Sequence, residues 1–388
     1  MKENHIYLEM VRYALNPEVG MPKGMEHVDW EDLFQFADEQ AIMGVMFEGV
    51  KRILEGQGAG GREQEVMDVV MEWAIVAHQI EEQNKRVNEA AMKVTRTLKR
   101  NGFESCILKG QGNGLYYPNP YLRNPGDIDV WVRSERLRVR GYRLLRGKKS
   151  KVREVIRFVK SMNPGAKAVY HHIDGGACDG VEVEVHYRPS FIFNPVHNRR
   201  LQQWFEKMAP QQFAHEEELP HNEDAEGTDF KVCVPTAEFN VVFLLSHVYN
   251  HLLHEGIGLR QIIDYYYLLC RGEMFEIRGE KWKETFRYLG MEKIAGAVMW
   301  VLNEILGLEE RFLIAPKDEK LGRVLLEEIL RGGNFGKYDT DNIKADNPLK
   351  KNWQRIKRDI RMMRYFPSEC LWEPMFRVWH FFWRRLMN

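Results

Sequence analysis

Long apolar runs are missing from this chain. No window approaches the ~18 uninterrupted apolar residues that mark a membrane-spanning helix, so no transmembrane segment is expected. The start, Met1-Lys2-Glu3-Asn4-His5, lacks the apolar centre of a secretory signal and leads into an amphipathic stretch. Cysteine is sparse. Cys106, Cys178, Cys233, Cys270 and Cys370 are scattered without a Cys-x-x-Cys pair, which excludes a patterned disulfide framework and suits reduced thiols in a cytoplasmic protein. Neither sign of charge is in excess: 56 Lys and Arg balance 56 Asp and Glu, so bulk attraction to nucleic acid or an anionic membrane is not indicated. No internal repeat is visible. What is abundant is apolar material, 44% hydrophobic with 12% aromatic, enough for substantial cores, and 388 residues suffice for two or three domains.

Periodicity divides the chain into three stretches. Over 1–100 it reads as helical, with apolar positions at three-to-four spacing in 6–15 and 30–54, as in Leu33, Phe36, Ala37 and Ile42. Asp29 suits a helix N-cap, with Asp32 at the third helical position. A glycine-rich linker, Gly56-Gln57-Gly58-Ala59-Gly60-Gly61, precedes a long helix at 62–100 that stops at Asn101-Gly102. The second stretch, 101–234, changes period. A strand at 103–108, a glycine turn with a helix start, a loop at 116–120 and a strand from Asp127 are followed by a basic helical insert over 133–160. Then come 168–173, a turn at Asp174-Gly175-Gly176 and an alternating strand at 181–188. The third stretch, 235–388, predicts helices at 236–254, 257–271, 279–305 and 318–331, a polar loop at 332–350 and an aromatic tail.

The chemistry concentrates at Asp127-Ile128-Asp129-Val130-Trp131-Val132. Side chains at i and i+2 of a strand share a face, so Asp127 and Asp129 project together while Ile128 and Val130 turn toward a core. Paired carboxylates repel unless a cation lies between them, and oxygen ligands at this spacing suit Mg²⁺ with water and phosphate completing its shell. Upstream, Gly110, Gly112 and Gly114 permit close backbone approach to phosphate, the following helix offers N–H groups, and Lys109 can neutralise a phosphate oxygen. An ordinary tight connection accounts for such a turn equally well. The later run Val181-Glu182-Val183-Glu184-Val185-His186 puts Glu182, Glu184 and His186 on the face opposite its valines. Its acids are either solvated or, if the two strands are neighbours, include a third carboxylate for one or two divalent ions. Such a cluster performs two-metal phosphoryl or nucleotidyl transfer.

The run Leu108-Lys109-Gly110, then Tyr117-Pro118, Arg123 and Gly126-Asp127-Ile128-Asp129-Val130, resembles the uncharacterised nucleotidyltransferase family of the polymerase-β-like superfamily. His171-His172 and Val183-Glu184-Val185-His186-Tyr187-Arg188-Pro189 continue the likeness, which spans roughly 105–265. The resemblance implies an α+β fold, a small mixed-sheet nucleotidyltransferase core flanked by N-terminal helices and a C-terminal helical bundle. It implies Asp127, Asp129 and Glu184 as metal ligands, with Glu184 as ligand or base toward the acceptor hydroxyl. Lys109, Gly110 and Gln111 occupy the place of the phosphate loop, with Gln111 where the superfamily has serine. Arg123 is implied as a nucleotide contact, against the alternative of a structural loop arginine. His172, His186, Arg188 and Arg260 are implied as supporting or acceptor-side residues. The cofactor is expected to be Mg²⁺ or Mn²⁺, the donor an NTP, ATP above others, and the acceptor a small molecule, a protein hydroxyl or an RNA end.

Other features allow two readings each. The basic segment 133–160 is a solvated helix face or a rim that steers a polyanion. His247, His251 and His254 recur at helical spacing and form a polar stripe or a metal site, although H-E-x-x-H is absent. Arg260 and Asp264 can pair at i, i+4. The aromatic tail around Trp372, Trp379 and Trp383 packs on its own fold or a partner, or lies at an interface. The expected activity is nucleotidyl transfer to an acceptor hydroxyl with release of pyrophosphate. The alternative is a catalytically silent nucleotide- or partner-binding protein on the same fold.

Overall fold

Strict alternation in two short runs builds the sheet that organises the acidic residues. In the computed structural model, which describes residues 2–56, 63–134, 148–220, 231–271, 280–338 and 348–388, β1 (Phe103–Ile107), β2 (Ile128–Ser134), β3 (His172–Cys178) and β4 (Val181–His186) form a mixed four-stranded sheet in the order β1-β2-β4-β3. β1 runs antiparallel to β2, β2 parallel to β4, and β3 antiparallel to β4. Ile128, Val130 and Val132 of β2 and Val181, Val183 and Val185 of β4 turn to one face. There they meet Val87, Ala91 and Leu98 of the helix Glu63–Arg100 and Val155, Ile156 and Val159 of the helix Lys148–Met162. The opposite face carries the polar members of each strand, as a period of two requires.

The chain forms two compact units, assembled from pieces of all three sequence stretches. The sheet belongs to the unit made of Gln83–Pro120, Pro125–His247 and Phe366–Asn388. That unit also holds a second sheet of two short strands, β5 (Glu216–Glu217) and β6 (Val232–Cys233), and the C-terminal helix Pro367–Met387. The other unit, Met1–Glu82, Tyr121–Asn124 and Val248–Tyr365, is helical. The expected mixed sheet with helices toward both ends of the chain is what the structure contains.

Several expected boundaries move, for identifiable reasons. The periodic stretch 30–54 is two helices, Trp30–Glu39 and Met43–Gly56. Asp29 caps the first, accepting from the backbone N–H groups of Glu31 at 2.9 Å and Asp32 at 3.1 Å. It ends where Ala41 adopts φ +53°, with Ala41 N–H donating to Asp38 and Ile42 N–H to Ala37, a Schellman stop formed without glycine. The stretch 279–305 likewise breaks at Gly290, φ +72°, into Glu280–Leu289 and Glu292–Trp300. Asp174-Gly175-Gly176 is not a turn: it lies inside β3, where the register shifts against β4. The chain reverses instead at Asp179-Gly180, both at positive φ (51° and 79°), the two-residue geometry that matches strand twist. Part of the segment 332–350 is helical, as the helix Pro348–Met363 begins within it. The linker residues 57–61 and most of the basic insert, Arg136, Arg138, Arg140, Arg143 and Arg146 included, lie outside the described residues.

Candidate active site

The polar face of the sheet brings the acids together by register. Asp129 of β2 lies directly across from Glu184 of β4, and Asp174 of β3 faces Glu184 from the other side. One row along, Trp131, His186 and His172 form the next line. Trp131 is covered by Phe213 and Phe239, so the sheet face is closed behind the acids. Asp129 is buried, the Glu184 side chain is about one third exposed, and Asp127, just before β2, is exposed. Glu182 points out to solvent, which leaves Glu184 as the acid of β4 beside the pair.

Lys109 arrives at the same point because the backbone continues the β1–β2 ladder: Leu108 N–H donates to the Asp129 carbonyl at 2.9 Å. Gly110 follows with φ +53° and ψ −106°, a conformation that side-chain-bearing residues rarely adopt. The next helix, Gln111–Gly114, is a single turn. It offers backbone geometry rather than the strong dipole of a long helix, which revises the expectation of a positive helix end behind the glycines. Gln111 is buried, and its side-chain carbonyl oxygen has no hydrogen-bond partner among the described residues.

Two cationic side chains converge on Asp129. Its Oδ1 accepts from Lys109 Nζ at 2.9 Å and from His186 Nε2 at 2.7 Å. Glu184 Oε2 lies 3.4 Å from His186 Nε2 and 3.3 Å from His172 Nδ1. Burial alone would raise the Asp129 carboxyl, but Lys109 and His186 hold it well below the ordinary range. His186 is pushed up to about 9, because its bonds to Asp129 and Glu184 outweigh the burial that opposes its charge. Lys109 is also raised: burial works against its charge, and Asp129, Asp127 and Glu184 overcome it. Asp127 is pushed up to about 6, first by the Asp129 charge and then by its surroundings. His172 is pushed down to about 4 by burial and then by His186. Negative charge at Asp127 is therefore undercompensated even with Lys109 in place.

Whether these residues fit a divalent cation can be judged from the donor set. Among the described residues, two groups have ligand atoms within 4.8 Å of one another: Asp129, Glu184 and His186, and His171, His172 and His186. Asp129 and Glu184 offer hard oxygens at a partly open position, a pair that fits Mg²⁺ or Mn²⁺ with water and phosphate completing the shell; Asp127, two residues before Asp129, lies outside that group. His186 Nδ1 lies 3.3 Å from the Arg188 carbonyl, which orients the ring so that Nε2 meets Asp129, the arrangement of an outer-sphere histidine. Neither group includes His247, His251 or His254.

Other expected site residues lie elsewhere or are engaged. Arg123 belongs to the helical unit, where its Nε and Nη2 donate to the two carboxylate oxygens of Asp264, each at 2.8 Å and both residues buried. Of the two roles weighed for Arg123, this geometry favours the structural one. Asp264 pairs with Arg123, and Arg260 donates to the Asn124 carbonyl at 3.4 Å. Arg188 donates to the Tyr170 carbonyl at 2.6 Å and lies over the Tyr170 ring, 4.5 Å from its centroid. Asp174, expected in a turn from its glycine neighbours, lies in β3 across from Glu184, and His171, to which the motifs assign no role, has a ring nitrogen 3.0 Å from His172. The alternation of 172–174 with the Asp179-Gly180 turn was the signal for Asp174.

A family model for uncharacterised nucleotidyltransferases matches residues 26–307. The chain belongs to that family. The match extends on both sides of the span where the motifs lie and includes every acid of the cluster. No curated protein and no solved structure matches the chain.

Proposed function

We propose that this protein is a Mg²⁺-dependent nucleotidyltransferase that moves a nucleoside monophosphate from an NTP to an acceptor hydroxyl. The observation that supports this reading most is the register pairing of Asp129 with Glu184 on adjacent parallel strands, with Asp127 exposed beside them. The acceptor oxygen forms a bond to the α-phosphorus, the bridging bond to the β-phosphate breaks, and pyrophosphate leaves. Bound Mg²⁺ (or Mn²⁺) would supply charge neutralisation of the triphosphate and polarisation of the α-phosphorus. Asp127, Asp129 and Glu184 hold the ion, and Glu184, more open than Asp129, takes the hydroxyl proton. Lys109 moves from Asp129 to a phosphate oxygen, and His186 keeps Asp129 ionised and oriented. The backbone at Gly110 and Gln111 approaches the phosphates. ATP is the first donor to test.

The test uses each NTP labelled at the α- or the γ-phosphate, with Mg²⁺ and a cell extract as acceptor source. Transfer of the α label with release of pyrophosphate is expected, and both should vanish in Asp129→Asn and Glu184→Gln. A second reading, nucleotide binding without turnover, is favoured by one observation: Lys109 and His186 both bond Asp129, so the protein's own side chains balance its charge. NTP binding by calorimetry with no pyrophosphate from any nucleotide or metal would establish that reading and refute the first.

A further inference from the structure

The C-terminal helix Pro367–Met387 has two different faces. Its inner face is anchored: Glu369 accepts from the backbone N–H groups of Phe193 at 2.6 Å and Asn194 at 3.0 Å. Phe376 stacks on Phe191 with ring centroids 5.1 Å apart, and Trp379 meets Tyr170 edge-on at 5.4 Å. Beyond the helix, the Asn388 side chain bonds both backbone groups of Ala168, at 2.7 and 3.0 Å. The outer face is apolar and exposed, with no cover among the described residues. Leu371, Met375, Val378, Phe382 and Leu386 recur at spacings of four, three, four and four residues, and each is between 57% and 78% exposed. This stripe runs for about 22 Å at helical rise. Solvent contact on such a scale marks an interaction surface, because isolated exposed apolar residues are normal and aligned ones are not.

Charge on the helix identifies the occupant. Its acids, Glu369 and Glu373, are both buried, and Glu373 is paired with Arg377 at 3.0 Å. Of the arginines it exposes, Arg385 flanks the stripe and lies over the exposed Phe381 ring at 4.3 Å, while Arg384 projects on the side of His380. A second copy of this helix would bring arginine to a surface that has no exposed acid of its own to pair with it. Anionic lipid headgroups supply that partner, while the acyl boundary accepts the stripe and tryptophan suits the headgroup level. Among the described residues no helix is long and apolar enough to cross a membrane, so the contact is interfacial. The zero net charge of the chain does not govern the charge of one helix face.

We propose that the outer face of the helix Pro367–Met387 docks the protein on anionic phospholipid surfaces, with the helix lying in the plane of the interface. The full chain is sedimented with vesicles of three parts phosphatidylcholine to one part phosphatidylglycerol, and with phosphatidylcholine vesicles alone. Binding to the anionic vesicles is expected, weakened by added salt and weaker still on the neutral ones. Phe382→Glu and Leu386→Glu should each reduce it by ~10-fold or more. Arg385→Gln should reduce it by about five-fold on anionic vesicles and leave residual neutral binding unchanged, with a smaller effect from Arg384→Gln. Unchanged far-UV circular dichroism checks the fold, and the two outward glutamate variants serve as replicates of each other. Absence of vesicle binding overturns the proposal, as does equal binding to both vesicle types. A dimer by light scattering that Phe382→Glu abolishes also overturns it, in favour of a second copy. Nucleotide plays no part in this assay, so its outcome is independent of the proposed transfer.

Discussion

Asp127 and Asp129 are neighbours in the same motif, yet the structure separates their effects on stability. Asp129 is buried between Lys109 and His186, whereas Asp127 is exposed and repelled by Asp129. In metal-free protein, Asp129→Asn leaves a partly exposed ammonium and a buried imidazolium beside an amide. Breaking one side of a buried ion pair costs about 3–5 kcal/mol, reduced here to ~2–4 because Glu184 and Asp127 remain near Lys109. Asp127→Asn does the opposite. A rise from 3.8 to about 6 corresponds to ~3 kcal/mol against the ionised form at full strength. Solvent screens this exposed group, so a gain of about 1 kcal/mol is expected. The folded-state pKa of this acid is raised, so its penalty is fully present above pH about 6 and fades as the pH falls toward 3.8. Asp127→Asn should accordingly stabilise at neutral pH and become indistinguishable from wild type in acid. Urea unfolding in EDTA, with amide exchange of the β2 and β4 segments as a local readout, measures both changes. Wild-type protection in Asp129→Asn, or greater loss in Asp127→Asn than in Asp129→Asn, would refute the charge assignment.

Gly110→Ala forces a side chain onto φ +53° and ψ −106° and should cost ~1–3 kcal/mol in thermal unfolding, with weaker NTP binding by calorimetry. Arg123→Lys should not rescue the two-bond pairing with Asp264, and a double-mutant cycle with Asp264→Asn should give a coupling of about 3 kcal/mol; coupling near zero would remove the structural role. Cys106 is buried and its thiol is pushed well above the ordinary range by burial, so alkylation of native protein should spare Cys106 and the buried Cys370 while modifying the partly exposed Cys178 first. Early modification of Cys106, read by peptide mass spectrometry, would contradict the packing of β1.

Period-two patterning made β2 and β4 legible, and with them the shared face of Asp127, Asp129, Glu184 and His186. What no local pattern reveals is register. A shift of one residue between β2 and β4 would have sent Glu184 away from Asp129, and only packing of both valine rows against one core fixes it. Helix ends were legible where a residue type enforces them, as at Asp29 and Gly102, whereas the break at Gly290 went unread. Ala41 shows the limit: a left-handed stop without glycine leaves no trace in composition. Two glycines at Gly175 and Gly176 gave a false turn, since a bulge and a reversal draw on the same residue. Asp179-Gly180 was the better signal. The Arg123–Asp264 pair spans 141 positions and could not be inferred from spacing.

The arrangement around Asp129 also bears on how a cation could be admitted. Three carboxylates face two neighbouring cations, and the raised Asp127 shows that this pairing leaves negative charge to be matched. His186 is buried, held by the Arg188 carbonyl and by Asp129, so it has little freedom to leave. Lys109 is partly exposed, has a flexible stem and follows the last bond of the β1–β2 ladder. Of the two, Lys109 is the group that can exchange places with an incoming ion. Its release would set an ammonium free beside Gly110, where the backbone is built for close approach. On the proposed reading, a site organised this way would couple metal entry to phosphate capture through one side chain. Lys109→Met should therefore strengthen metal binding measured without nucleotide, while weakening NTP binding measured with metal. If Lys109→Met weakened both, the lysine would be holding the acids in place rather than standing in for the ion.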